Sequence, residues 1–175
     1  MTETTVRILV VFYSRSGTTR EVAVQLGARL GADLEEISDP TPRKGVLGFL
    51  RSGVEAQRRR LPPIAPSRND PADYDVVVIG TPVWTSSISS PVRAYLRRHR
   101  GILRKVAFFC TCGGSGSHGA FAQMQEELEH EPVVRMQLRQ DDVGTVSTEA
   151  AIERFVEHVR AAAARPQEHP DRPAV

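Results

Sequence analysis

Near-continuous apolar runs alternate along this chain with stretches whose apolar residues recur every three or four positions. Val6-Arg-Ile-Leu-Val-Val-Phe-Tyr13 is rich in β-branched and aromatic residues, the pattern of a strand buried on both faces of a parallel sheet. It runs into Ser14-Arg-Ser-Gly-Thr-Thr19. Val22, Ala23, Leu26 and Leu30 then line one face of a helix that Gly31 ends. Thr18 followed by Glu21 fits a capping box, which places the helix start just after the loop. A short second strand is expected from Asp33 to Ile37, and a third over Tyr74-Asp-Val-Val-Val-Ile-Gly80. Ser90 reads as an N-cap with Pro91 at the first helical position, and Val92, Tyr95 and Leu96 supply that helix's apolar face. A fourth strand runs from Lys105 to about Thr111. After a glycine-rich loop, Phe121, Met124 and Leu128 mark a helix. Val133 to Leu138 reads as the fifth strand. Ile152, Phe155, Val156 and Val159 have helical spacing within a last helix from about Ser147 to Ala164.

Five strands alternating with helical connections predict right-handed crossovers, a five-stranded parallel sheet and helices on both faces, an α/β doubly wound fold. Residues 39–73 break the pattern, punctuated by Pro40, Pro42, Pro62, Pro63, Pro66 and Pro71. Within them Val46, Leu47, Phe49, Leu50 and Val54 suit a short amphipathic helix. Its charge is lopsided, with Arg43, Lys44, Arg51, Arg58, Arg59 and Arg60 against Glu55. A single domain is expected over residues 1–164, followed by a frayed polar, proline-rich tail over 165–175. No internal repeat interrupts this order.

Composition narrows the classes. At 175 residues, 40% hydrophobic and 25% charged, the chain is long enough and apolar enough to bury a core. The net charge of +2 makes no strong case for nucleic acid. No apolar run has the length of a membrane span, and the first residues lack a basic segment leading into an apolar one, so no signal peptide is expected. The two cysteines, Cys110 and Cys112, are too few and too close for a disulfide framework, and a reducing cytoplasmic setting is expected. Oligomeric state leaves no mark in the pattern.

Ligands in such folds bind beyond the carboxyl ends of the strands. Three loops there carry unusual chemistry. Ser14-Arg-Ser-Gly-Thr-Thr19 offers four hydroxyls, a glycine and a helix N-terminus, which attract an anion. The P-loop lysine is missing, so a single phosphate monoester fits better than a nucleoside triphosphate. The plain alternative is a βα turn rich in capping residues.

Thr81-Pro-Val-Trp-Thr-Ser-Ser-Ile-Ser-Ser90 carries the only tryptophan, Trp84, suited either to stack on a planar heterocycle or to cap the core. Cys112-Gly-Gly-Ser-Gly-Ser-His-Gly119 holds Gly114-x-Gly116-x-x-Gly119, formally a dinucleotide fingerprint that predicts NAD. That fingerprint belongs to a first βαβ unit, whereas this loop follows the fourth strand. The alternative is that its backbone N–H groups meet the polar edge of a flat ligand. His118 either touches ligand or faces solvent. Cys110 and Cys112 are taken to alternate faces, Cys110 in the core and Cys112 lining the site. Two cysteines alone make no zinc centre, and no metal is expected.

With these three loops in order, the chain resembles the flavodoxin-like family. Ile-Leu-Val-Val-Phe-Tyr-Ser-Arg-Ser-Gly-Thr-Thr-Arg resembles its flavin mononucleotide (FMN) phosphate loop. Gly80-Thr-Pro-Val-Trp-Thr resembles the loop flanking the isoalloxazine, and Cys112-Gly-Gly-Ser-Gly the loop on the ring's other side or pyrimidine edge. The resemblance spans about residues 6 to 160. It implies a three-layer flavodoxin-like fold, strand order 2-1-3-4-5, with non-covalent FMN at the carboxyl edge of the sheet. By the same resemblance Ser14, Arg15, Ser16, Gly17, Thr18 and Thr19 hold the phosphate. Pro82, Val83, Trp84 and Thr85 meet the ring from one side, and Thr111, Cys112, Gly113, Gly114, Ser115 and Gly116 from the other.

The chain departs from shuttling flavodoxins in lacking a net acidic charge, and its third loop lacks an acidic residue and a stacking tyrosine. The connection after the fifth strand is too short for the long-chain insertion. The expected activity is an FMN-dependent oxidoreductase passing electrons from NAD(P)H to a quinone or other small acceptor. Against it stand a carrier between redox partner proteins, and a non-redox binding module. A response-regulator receiver is disfavoured because Tyr13-Ser14 stands where acidic residues would hold Mg²⁺. No side chain is compelled to act as an acid or base, so no catalytic residue is named. The basic stretch at 43–60 reads as a solvated helix face or, more sharply, as a docking patch.

Overall fold

The computed structural model describes residues 6–40, 48, 54–55, 58–59 and 61–165. The tail 166–175 and most of the short helix expected over 46–54 lie outside the described residues. The strands are β1 (Ile8–Phe12), β2 (Asp33–Glu36), β3 (Val76–Trp84), β4 (Ser87–Ile88), β5 (Val106–Cys112) and β6 (Arg135–Arg139). The helices are α1 (Thr18–Leu30), α2 (Ser90–His99), α3 (Ser117–Leu128) and α4 (Val146–Ala164). The five long strands pair in parallel in the order β2-β1-β3-β5-β6, with the two-residue β4 antiparallel against β3. Leaving β4 aside, this is the expected order 2-1-3-4-5.

Strand periodicity sorts the core into two layers. Leu9, Val11, Val77, Ile79, Phe108 and Cys110 face α2 and α3, meeting Val92, Tyr95, Leu96, Phe121 and Met124. Ile8, Val10, Phe12, Val76, Val78 and Phe109 face α1 and α4, meeting Val22, Leu26, Ile152, Phe155 and Val159. Central strands buried on both faces explain why their sequences read as unbroken apolar runs. No described helix is long and apolar enough to cross a membrane.

Several local readings change. β3 does not stop at Gly80. It continues through Thr81-Pro82-Val83-Trp84 and turns back into β4, so the second loop is a β-hairpin, with Val83 opposite Ile88 and Trp84 opposite Ser87. The expected capping box does not form, because Thr18 already lies inside α1 and Gly17 is the N-cap. Ser89, rather than Ser90, is the N-cap of α2, which shifts Pro91 one position inward. The last strand sits one or two residues later than expected, at Arg135–Arg139. Cys110 and Cys112 share a face, as residues two apart on a strand must.

Candidate functional site

The carboxyl ends of β1, β3 and β5 bring the three loops to one edge of the sheet. In the first, the Ser14 hydroxyl accepts a hydrogen bond from the Gly17 N–H at 3.1 Å. Gly17 adopts φ 106°, in the left-handed region where a side chain costs energy. The Glu21 N–H donates to the Gly17 carbonyl at 2.9 Å, so the helix is closed one turn in. Gly17 as N-cap has no side chain to offer, and the Ser14 hydroxyl takes the Gly17 N–H itself, which leaves the N–H groups of the first helical turn and the helix dipole at the sheet edge. Ser16 is exposed, Arg15 and Thr18 are half-buried, and Ser14 and Thr19 are buried. The hydroxyls of Thr19 and Thr111 lie 2.8 Å apart, so a residue assigned to the phosphate and one assigned to the ring share a hydrogen bond.

The hairpin turns at Thr85 and Ser86, with φ 51° and 59°. A two-residue hairpin wants positive φ at both central positions and normally uses Asn or Gly there. Thr81 ties the hairpin base to α2: its hydroxyl donates to the Pro82 carbonyl at 2.9 Å and accepts from the Ser89 N–H at 3.1 Å. Pro82 is buried, Val83 half-buried and Thr85 exposed. Trp84 is 7% exposed and meets Tyr13 edge-on, the centroids 5.6 Å apart and the planes at 90°. The indole thus closes the α2–α3 core layer at the sheet edge, next to the residue that precedes Ser14.

In the third loop Gly113, Gly114 and Ser115 are exposed. Gly116 caps α3 with φ 99°, again without a side-chain cap. The glycine spacing has a local cause. A Cβ on Gly116 would sit 2.8 Å from the Ser86 Cα, and one on Gly119 2.6 Å from the Ser86 carbonyl oxygen. Two glycines of the formal dinucleotide fingerprint therefore admit the hairpin tip. Cys112 is 1% exposed and its thiol faces the Leu138 carbonyl at 3.8 Å and the Gln137 amide at 3.7 Å, toward β6. Burial pushes the Cys110 thiol up to about 12, so it stays protonated and inert. His118 is exposed. Among the described residues no group of His, Cys, Asp and Glu could hold a metal.

A charged network beneath the hairpin escaped the sequence reading. Arg93 is fully buried and donates to Glu127 at 2.5 Å and to Gln123 at 2.5 Å. Arg97 also donates to Glu127, at 2.6 Å. Burial lowers the Arg93 pKa, and the Glu127 carboxylate opposes that shift. The available signal was an arginine flanked by Val92, Ala94, Tyr95 and Leu96 on a helix, which places it against a packed surface. From the basic stretch, Arg59 pairs with Glu126 on α3 at 2.7 Å.

A family model described as Flavodoxin matches residues 7–159. Among solved structures the chain is similar to a flavoprotein in complex with FMN from Lactobacillus acidophilus NCFM: 22% identity, 81% of this chain and 99% of that one, TM-score 0.67. The apo-form of the flavoprotein from the same organism gives 21% identity, 75% and 91% coverage, and a TM-score of 0.60. Oxidised flavodoxin 1 from Bacillus cereus gives 14% identity, 88% and 97% coverage, and a TM-score of 0.56. At these identities the likeness is one of fold. No curated protein matches the chain.

Proposed function

The chain belongs to the flavodoxin family, and from that premise we propose that it binds FMN at the carboxyl edge of its sheet and transfers electrons through it. The main support is the amino end of α1, where a left-handed Gly17 with no capping side chain leaves the backbone donors of the first turn for a phosphate. Ser14, Arg15, Ser16, Gly17, Thr18 and Thr19 surround that end and would hold the phosphate. Hydroxyls and N–H groups, with no lysine among them, match a single monoester rather than a polyphosphate. The ring would lie between Pro82–Thr85 on one side and Thr111–Gly116 on the other. When bound, FMN supplies the one- and two-electron chemistry, and the protein supplies orientation and field.

The Thr19–Thr111 hydrogen bond keeps the phosphate loop and the end of β5 in fixed relation, which sets the distance between the two parts of the ligand. Tyr13 and Trp84 make the adjoining wall aromatic and dry. The electron donor is NAD(P)H and the acceptor a quinone or another small molecule. A net charge of +2 supports this over a carrier that steers basic protein partners with an acidic surface.

Titrating FMN into the purified chain should quench the flavin's fluorescence and leave a yellow protein after gel filtration. Unquenched flavin that elutes free would overturn the cofactor reading. NADH and NADPH oxidation with a quinone acceptor then separates the finer readings. Turnover with either nicotinamide supports the reductase, and negligible turnover with both supports a carrier between proteins.

A further inference from the structure

We propose that α3 is the seat of the Thr85–Ser86 hairpin, and that Gly119, Gln123 and Arg93 are positioning residues for the wall of the site that the hairpin carries. The hairpin does not hold its own shape. It has two residue pairs and turns through two non-glycine residues at positive φ, one of them β-branched. Such a conformation persists only where its surroundings impose it.

The surroundings come from one face of α3. Gly116, Gly119, Gln123 and Glu127 follow one another at intervals of three or four residues, so they line a single stripe of the helix. The two glycines admit the Ser86 backbone, whose carbonyl oxygen would lie 2.6 Å from a Cβ on Gly119. One turn further, the Gln123 amide donates to the Ser87 hydroxyl at 3.1 Å. Ser87 is the register partner of Trp84, so this anchor lies directly across from the indole.

Gln123 is itself held from below. Its carbonyl accepts from Arg93 at 2.5 Å, and Arg93 also donates to Glu127. A fully buried guanidinium is costly unless its partners are kept in place. Arg93 therefore locks α2, α3 and the orientation of the Gln123 side chain together. The second and third loops then behave as one body. That this body flanks the flavin ring rests on the cofactor reading above; that the hairpin is seated on α3 does not.

The sole tryptophan makes the seat measurable without any cofactor. In the 175-residue chain, Gly119→Ala and Gln123→Leu should raise acrylamide quenching of Trp84 about twofold, well below the melting transition, with far-UV circular dichroism unchanged. Both should weaken FMN binding about tenfold and shift the bound flavin's absorbance bands. Gln123→Glu keeps the acceptor for Arg93 and replaces the amide donor by an oxygen that accepts from the Ser87 hydroxyl, so it should retain wild-type values in both assays. If Gly119→Ala fails to fold, Gln123→Leu carries the test. Wild-type Trp84 quenching in folded Gln123→Leu overturns the seat, even where FMN binds. Increased quenching in a protein whose wild type takes up no FMN upholds the seat and overturns the cofactor reading.

Discussion

Helices α1 and α4 leave the same edge of the sheet and pack together on one face, joined by the Arg29–Glu149 and Arg29–Glu153 ion pairs. Their first turns are built differently. At α4 the Thr145 hydroxyl accepts from the Thr148 N–H at 3.4 Å, and the Thr148 hydroxyl donates to the Asp142 carbonyl at 2.5 Å. At α1 the N-cap is a left-handed glycine with no capping side chain, and the Ser14 hydroxyl takes the Gly17 N–H rather than one from the first turn. A missing cap costs a helix about 1 kcal/mol. α2 and α3 also start without a side-chain cap bond, on Ser89 and Gly116. The difference teaches that the chain completes its own hydrogen bonds at the helix start remote from the proposed site. At the three starts that follow the site loops, no N-cap side chain takes the first-turn donors.

The largest expected effect tests what holds a bare-ended helix. Replacing Glu127 by Ala should cost about 3–5 kcal/mol in chemical denaturation, because it strands the buried Arg93 guanidinium. A smaller cost, near that of a surface pair, would mean that α3 is held by apolar packing alone. The same pair has a pH signature. Burial pushes the Glu127 pKa up, but hydrogen bonds from Arg97 and Arg93 outweigh it and leave it below the ordinary value of 4.5. A depressed carboxylate stabilises the fold above that ordinary value and loses its contribution as the pH falls through the depressed one. Stability should therefore drop below about pH 4.5 in the wild type, and this component should be absent in Glu127→Gln.

The next effect reverses the chemistry of α1. Gly17→Asp places a carboxylate where the phosphate is proposed and should weaken FMN binding about a hundredfold, roughly 3 kcal/mol. Gly17→Asn has the same tolerance of left-handed φ without the charge, and should retain most of the affinity. Equal affinities for the two variants in a fluorescence titration would detach the phosphate from this end. The smallest effect belongs to α4. Thr145→Ala should cost about 1 kcal/mol of stability by thermal melting. Its FMN titration should match the wild type, and a loss of affinity there would erase the contrast between the two helix starts.

Much of the fold was legible because burial on both faces writes itself as apolar runs, unbroken in Ile8–Phe12 and interrupted only by Thr111 in Val106–Cys112. Helical spacing around Val22 and Leu26, or Ile152 and Phe155, marked the outer layers equally plainly. The three site loops were visible as clusters of hydroxyls and glycines at strand ends. Less visible was the hairpin, since Thr-Ser at a two-residue turn carries none of the usual Asn-Gly signal. Thr18 looked like a cap because Thr-x-x-Glu is a local pattern, while the true N-cap depends on where the chain leaves β1. The fingerprint-like glycines misled in a related way. Gly116 and Gly119 answer to Ser86, thirty or more residues away, and no local reading connects them.

The amino-acid sequence by itself determined the layered sheet, the alternation of its faces and the chemical character of the loops. These follow from local periodicity and composition, which each segment carries whatever its neighbours do. Only the tertiary structure decided that Arg93 is buried against Glu127, that Trp84 closes a core layer beside Tyr13, and that the hairpin tip packs against Gly116 and Gly119 at the start of α3. Those outcomes depend on contacts between segments far apart in the chain, where steric fit and the cost of burying a charge outweigh any local preference.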